Sequence, residues 1–345
     1  MMPIGARRTF RLGLVVALSL ALAYGMGLQF PFFAPVFGLM LTATPGPPPG
    51  LKGLLGLILV IAIALGVGLV LAPLLGKYPV SALLLIAVGI YLSAYISVGL
   101  NQPFFGTFLA LGFALIPAVG MVSYGLALDL IEGMLIGIGV AIVNQWIAYP
   151  FFPEDPPKPK AAKPPPVGTI ESRWLALRAT LIVFPPLLLF LSNPAQYVPI
   201  MAKCVILSQQ GSTLDARSAG RDIVAAVFLA GGIAMVFWLV LKICPSLWMF
   251  FLWTLLVGIY CAAKLYGVTA SRLPPAFWSD VVVNILILVG PAVMDSASGN
   301  DVYRSFVIRF SLFLAIALYA WLAMVALEWL RAGRRDPTPA MAPAA

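Results

Sequence analysis

The sequence predicts an all-α integral membrane protein with about twelve transmembrane helices, arranged as two six-helix repeats of the same orientation. Composition predicts the class, because 62% of the 345 residues are hydrophobic and 10% are charged, whereas soluble domains have about 25% charged residues. A soluble chain could not cover so much apolar surface with polar groups. Lipid must therefore solvate much of this protein.

Apolar runs close to the ~17–25 residues that cross a bilayer recur along the whole chain. The predicted spans of the first half are 12–28, 30–44, 51–75, 79–99, 103–123 and 126–150. Those of the second half are 175–193, 195–210, 222–243, 246–263, 276–294 and 305–330. The predicted organisation is a membrane half over 1–152, a cytoplasmic linker over 153–173, a second membrane half over 174–332 and a disordered tail over 333–345.

The linker is predicted because Glu154 to Ser172 combines many prolines with charges, a composition typical of extended, solvated segments. The distribution of cations predicts the orientation. With a cytoplasmic N terminus, the loop Lys and Arg residues fall on the inner side, except Lys77, Lys242 and Arg304. This positive-inside bias places both termini in the cytoplasm. It also explains the net charge of +9, so we expect no nucleic-acid partner.

An internal repeat predicts the two-half arrangement. Three short segments of the first half recur in the same order in the second half, before the first span, in the fourth span and in the fifth span. They are 10–12 with 177–179, 89–94 with 258–263, and 117–119 with 291–293. Six helices per half is an even number, so the halves share one orientation.

The second span of each half is unusually short and is interrupted by proline. Pro35 lies in the first copy and Pro199 in the second. Proline frees backbone carbonyls that hydrocarbon cannot satisfy, so such segments line polar cavities or pack inside the protein. Paired short spans indicate a transport site, and Pro35 and Pro199 are candidate pore-lining residues. Kinked packing helices without a site remain an alternative.

Lys203 lies inside the second of these short spans. An ionised Lys in the bilayer centre costs about 2.5–3.5 kcal/mol, so it must face a cavity or a carboxylate. We predict that Lys203, with Gln209 and Gln210 at the end of the same span, binds an anionic substrate. A structural ion pair at Lys203 and ordinary helix-end solvation of the two amides are the alternatives.

Four carboxylates within or beside the spans are candidates for proton coupling, namely Asp129, Glu132, Asp280 and Asp295. Asp129 and Glu132 share a helix face, although both would also suit an interfacial position. Asn284 shares a face with Asp280, and Arg309 lies in the last span; both are predicted to line the pore. Lys203 and Arg309 offer opposite charges to these carboxylates, and the sequence leaves open which pairs form.

The missing motifs exclude several activities. The chain contains no His, which removes His-based zinc sites and Ser-His or Cys-His nucleophiles. Cys204, Cys244 and Cys261 have no metal-ligand spacing and are typical of buried apolar positions. No phosphate-binding GxxxxGK[ST] motif is present. We therefore predict no enzyme activity, no cofactor and no metal.

One repeated unit carries a family resemblance. It consists of an Arg-led first span, a short span with proline and a polar Gly-containing loop. The unit comprises Arg11 to Gly56 in the first half, and Arg178 through Pro199, Gln209-Gln210 and Arg217-Ser218-Ala219-Gly220 in the second. Over most of residues 7–330 the chain resembles the fusaric acid resistance family, which includes aromatic carboxylic acid exporters, and particularly its compact branch without a large cytoplasmic domain.

The resemblance implies an inner-membrane efflux subunit of a bacterium that works with a periplasmic adaptor of the membrane fusion type. We therefore predict proton-coupled export of small organic acids, aromatic ones included; a homo-oligomer is compatible with this. Two alternatives stay open. The first is a membrane scaffold that recruits an adaptor without transporting anything, and the second is an unrelated channel or transporter.

Overall fold

The computed structural model describes residues 2–155, 169–192, 201, 203–205, 216–299 and 301–332. Within these residues it contains helices and no strands. The helices before the proline-rich segment are α1 (Ile4–Gly25), α2 (Phe33–Ala43), α3 (Leu51–Lys77), α4 (Pro79–Gly99), α5 (Pro103–Ala114), α6 (Ile116–Val122) and α7 (Tyr124–Ala148). Those after it are α8 (Thr169–Phe190), α9 (Ala216–Ile243), α10 (Leu247–Leu265), α11 (Pro275–Ala297) and α12 (Val302–Ala332).

Ten helical segments in the described part of the chain are long and apolar enough to cross a membrane, with α5 and α6 together forming one of them. The outer surface is correspondingly apolar. On α3, for example, Leu59 and Ile63 are each 61% exposed. Such a surface requires lipid as its solvent. The predicted class, an all-helical multi-pass membrane protein, is confirmed, whereas the number of twelve spans stays a prediction.

Helix α2 is the predicted short second span. Its 11 residues extend about 16 Å, roughly half of the ~30 Å hydrocarbon core. Pro35 is buried in its first turn, where a missing backbone N–H costs little. The helix packs against α1, α7 and α11, so protein rather than lipid surrounds it. The matching span at 195–210, including Pro199, lies mostly outside the described residues.

Two helices extend beyond the segments predicted for them. The first span was expected to begin at residue 12, but α1 begins at Ile4, because Glu154 and Asp155 pair with the arginines of its first turns. The cytoplasmic linker is predicted over 153–173, and α8 begins within this range at Thr169. Glu171 in the first turn of α8 interacts favourably with the helix dipole. The tail from 333 lies outside the described residues.

The prolines that matched between the halves act differently. Pro117 divides the fifth predicted span, because α5 ends at Ala114 and α6 begins at Ile116. A proline cannot donate a backbone hydrogen bond and its ring clashes with the preceding turn. Pro291 nevertheless lies within the continuous helix α11.

The two halves are packed against each other through two antiparallel helix pairs, α1 with α10 and α4 with α8. In the first pair, Gly5 lies beside Val268 at one end and Gly25 beside Leu247 at the other. In the second, Gly99 at the end of α4 lies beside Ser172 at the start of α8. Under the predicted repeat, each pair joins the first span of one half to the fourth span of the other.

Glycines set the distance between α3 and α5. A side chain at Gly68 would overlap the carbonyl oxygen of Gly112, and one at Gly112 would overlap that of Ala64. The backbones therefore touch directly, which is how small residues stabilise helix packing in membranes. Gly66, two residues earlier on α3, has no neighbour at this position.

Gly68→Ala should therefore destabilise the protein by roughly 1–3 kcal/mol, because α3 and α5 must separate to admit a methyl group. Gly66→Ala in the same helix is the control and should leave stability unchanged or raise it, since Ala favours helix over Gly. Thermal unfolding in detergent measures both variants. Equal midpoints for the two would contradict the close approach.

Candidate functional site

Helix α11 carries two carboxylates and one amide within its candidate membrane span on one face. Of the apolar stretch by which α11 could cross a membrane, 83% is buried inside the protein, against 22% for the same kind of stretch in α12. Asp280, Asn284, Pro291 and Asp295 of this helix follow one another at helical spacing and fall within a stripe about 60° wide. A buried helix with a polar stripe is where a membrane protein places functional groups.

Lys203 and Asp280 form an ion pair near one end of this stripe. The Lys203 Nζ lies 3.9 Å from the Asp280 Oδ1, and the Lys203 side chain is 2% exposed. The predicted need for a carboxylate partner is therefore met by Asp280. The Lys203 ammonium has no hydrogen-bond partner among the described residues, so the pair is held by charge at a loose distance.

Asn284 lies one helical turn beyond Asp280 and is fully buried. Neither its Nδ2 nor its Oδ1 has a hydrogen-bond partner in the described part of the chain. An unpaired buried amide group costs about 1–3 kcal/mol. Asn284 is consequently the kind of group that a bound polar molecule would satisfy, and its position along a pore stays a prediction.

Arg309 and Asp295 form the second ion pair of the stripe. The Arg309 Nη2 lies 2.6 Å from the Asp295 Oδ2, and both side chains are mostly buried. The Nη1 of Arg309 is also buried but has no hydrogen-bond partner among the described residues. One amino group of the guanidinium therefore contacts Asp295, and the other is buried without a hydrogen-bond partner among the described residues.

This second pair lines a cavity of about 460 Å³ between the two halves, at the end of the bundle opposite to the start of α1. Residues before α2 and on α6 and α7 form a mainly apolar wall, namely Gln29, Phe30, Phe32, Val119, Leu126 and Leu130. Residues of α11, α12 and their loop form a more polar wall, namely Pro291, Met294, Asp295, Ser298, Ser305, Ile308, Arg309 and Leu312. Its volume is that of a small-molecule site.

The other predicted site residues lie elsewhere. Asp129 is half-buried and Glu132 is exposed on α7, where Leu126 and Leu130 line the cavity instead. The structure brings neither carboxylate into an ion pair with the residues it describes. Their role in proton coupling stays a prediction. Gln209, Gln210 and Pro199 lie outside the described residues.

Two ion pairs that the sequence analysis did not predict join the first and last helices of each half. Arg11 of α1 pairs with Glu154 after α7 at 2.7 Å, and Arg178 of α8 pairs with Glu328 of α12 at 2.9 Å. Both arginines are buried. Glu328 follows Glu154 at the same separation as Pro291 follows Pro117. The internal repeat therefore relates the two glutamates, although the sequence analysis places Glu154 in the linker.

Charges and hydrogen bonds also close the end of the bundle that carries these pairs. Arg8 donates two hydrogen bonds to Glu154, and Arg7 pairs with Asp155. Burial raises the pKa of Tyr266 to about 12. Its hydroxyl therefore stays protonated and lies 3.2 Å from the carbonyl oxygens of Thr42 and Ala43 at the end of α2.

Burial alone would raise the pKa of Glu154, but hydrogen bonds from Arg8 and Arg11 and the attraction of both cations lower it overall. A carboxylate with a lowered pKa stabilises the fold at neutral pH, and this contribution is lost as the pH falls through the lowered value. The thermal midpoint of the protein should accordingly fall on acidification below the ordinary value of 4.5.

Glu154→Gln should lower the midpoint at neutral pH and flatten this acid dependence, because the amide attracts Arg8 and Arg11 less and does not titrate. Glu171→Gln is the matched control, since Glu171 is an exposed carboxylate in the first turn of α8. Thermal unfolding from pH 7 down to about pH 2, which covers the range below the ordinary carboxyl value, measures the difference. An unchanged acid dependence in Glu154→Gln would refute the stabilising pair.

Fold and site together define a multi-pass membrane protein with a charged cavity inside its helix bundle. Comparison with known proteins adds one family: a model described as protein of unknown function (DUF2955) matches residues 8–148. The match spans α1 to α7, so the first half of the chain is similar to this uncharacterised family. No curated protein and no solved structure matches the chain.

Proposed function

We propose that this protein carries small organic acids, aromatic ones included, across the membrane as the membrane subunit of an efflux system. The observation that carries the proposal is the cavity of about 460 Å³ with its two unlike walls. A carboxylate needs a cation and hydrogen-bond donors, whereas a ring needs apolar surface. The cavity offers each on a separate side.

The polar wall of the cavity includes the guanidinium group of Arg309, which has one donor nitrogen without a hydrogen-bond partner among the described residues. The Nη2 of Arg309 contacts Asp295, while its Nη1 has no hydrogen-bond partner among the residues that the structure describes. A guanidinium group binds carboxylates through paired, charge-assisted hydrogen bonds. On the opposite wall, Phe30 and Phe32 are in edge-to-face contact at 6.4 Å between ring centroids, and aromatic rings favour this arrangement with a further ring as well.

Asp295 couples this site to protons in our proposal. A substrate carboxylate competes with Asp295 for Arg309, and a displaced carboxylate inside the bundle carries an uncompensated charge. Uptake of a proton removes that charge. Binding of the anion and protonation of Asp295 therefore favour each other, and by linkage the anion binds more tightly at lower pH.

The stripe on α11 continues from this cavity toward Lys203 and Asp280. The buried side chains of Ile287 and Leu288 separate Asn284 from Pro291, a distance of about 10 Å along the helix. We propose that this apolar stretch is the barrier of the resting state. In this proposal Lys203 and Asn284 form a second polar binding site for the substrate, on the other side of this apolar barrier.

Several finer features belong to the same proposal. Two observations support two repeats of the same orientation. The first span of each half packs against the fourth span of the other, as α1 does with α10 and α8 with α4. Arg11 and Arg178 also form matching ion pairs in the two halves. The positive-inside bias supports cytoplasmic termini. The resemblance to the fusaric acid resistance family supports the bacterial inner membrane and a periplasmic adaptor as partner.

Reconstitution of the purified protein into lipid vesicles tests the proposal. Vesicles loaded with labelled benzoate should lose it faster than protein-free vesicles, and the rate should change with an imposed pH gradient. A membrane scaffold would give the protein-free rate under every gradient. A channel would conduct the anion without a dependence on the pH gradient beyond that of benzoate itself in protein-free vesicles.

A further inference from the structure

A second cavity, of about 660 Å³, lies at the same end of the bundle but within the C-terminal half and the end of α1. It is lined by the end of α9, the start of α10 and the end of α11, together with Tyr303 of α12. Its lining contains Trp238, Phe250 and Tyr24, and Lys242 lies at its edge. None of these residues lines the Arg309 cavity.

Two polar atoms of the aromatic residues in this cavity have no hydrogen-bond partner in the described part of the chain. The Nε1 of Trp238 and the hydroxyl of Tyr24 are buried without a hydrogen bond to any described residue, and Trp238 is 8% exposed. Buried Trp and Tyr side chains usually find a partner for these groups. Two unsatisfied donors beside one cavity indicate an acceptor-rich ligand.

The Lys242 charge at the edge of the cavity also lacks a carboxylate partner among the described residues. Lys242 is exposed and forms no ion pair within the described part of the chain; its Nζ lies 5.5 Å from the centroid of the Tyr303 ring. Asp301 lines the same cavity, but its Oδ1 accepts hydrogen bonds from the backbone N–H groups of Tyr303 and Arg304. That carboxylate caps α12 and leaves the ammonium available to an anion.

We infer that this cavity binds the anionic headgroup of a phospholipid from the surrounding leaflet. The cavity lies at helix ends, the depth at which Trp, Tyr and Lys side chains meet lipid headgroups. Its rim continues into lipid-facing surface, because Ile243 is 83% exposed and Leu247 is 44% exposed. Headgroup oxygens accept from Trp238 and Tyr24, Lys242 binds the charge, and the acyl chains remain in the bilayer.

Titration of the purified, delipidated protein with brominated phospholipids tests this inference and requires no transport. Bromine quenches tryptophan fluorescence on contact. Phosphatidylglycerol should bind about fivefold more tightly than phosphatidylcholine with the same chains, the effect of roughly one Lys. Lys242→Gln should remove this preference. Lys77→Gln, a Lys at the end of α3, should retain it, and Trp238→Phe should lower the amplitude of quenching.

Three results would overturn the inference. The first is equal affinity of the wild-type protein for the two lipids. The second is an equal loss of preference in Lys77→Gln, which would assign it to general surface charge. The third is displacement of phosphatidylglycerol by benzoate, which would make the cavity a site for soluble acids.

Discussion

Lys203→Met should lower the free energy of unfolding of the protein by about 3–5 kcal/mol, because it removes the cation of a buried ion pair and the other charge stays buried without that attraction. The remaining charge is that of Asp280, whose Oδ1 lies 3.9 Å from the Lys203 Nζ. Lys77→Met is the matched control, since Lys77 is exposed at the end of α3. Thermal unfolding in detergent and export of a labelled acid are both measured.

The double variant Lys203→Met with Asp280→Asn separates structure from transport. Neutralising both partners should restore much of the lost stability, since no uncompensated charge remains. We expect transport to stay low, because the proposed second polar binding site has lost the Lys203 cation. Additive losses of stability would contradict coupling between the two residues, and full recovery of transport would assign Lys203 to the structure alone.

Arg309→Ala should reduce transport of an organic acid at low concentration by about 10- to 150-fold, the effect of losing charged hydrogen bonds worth roughly 1.5–3 kcal/mol. Arg304→Ala is the control in the same helix, because Arg304 is exposed and does not line the cavity. Initial rates in vesicles measure both variants. Equal rates for the two would remove Arg309 from the substrate site.

Asp295→Asn tests the proposed link to protons at the same site. The amide does not compete as an anion for Arg309, so the variant should bind acids at neutral pH as tightly as the wild-type protein does at low pH. Its affinity should change little between pH 5 and pH 8. If the pH dependence survives unaltered, the coupling group is another carboxylate, and Asp129 and Glu132 become the next residues to replace.

Several features of the fold could be read from the residues because they depend on composition along one helix. The short length of α2 and the shared face of Asp280 and Asn284 follow from spacing, whereas the pore-lining position of Pro35 stays a prediction. The need of Lys203 for a carboxylate followed from the cost of an isolated charge in hydrocarbon. These predictions require no knowledge of neighbouring helices.

The partners themselves could not be read in this way. Asp280, Asp295, Asp129 and Glu132 were equal candidates, and only the packing of α11 assigned the first two to Lys203 and Arg309. The prolines after Glu154 predict a solvated linker there. The residues next to Glu154 in the sequence do not indicate that folding brings Arg8 and Arg11 into contact with it.

The sequence by itself determined that this protein lies in a membrane, that its second helix is short and that a few charges must be paired inside. The tertiary structure alone decided which charges pair, where the cavities lie and which wall each residue joins. The physical reason is that membrane helices are apolar all round. Such helices have no strongly amphipathic face to identify their neighbours, so close packing of small residues and a few ion pairs choose them instead.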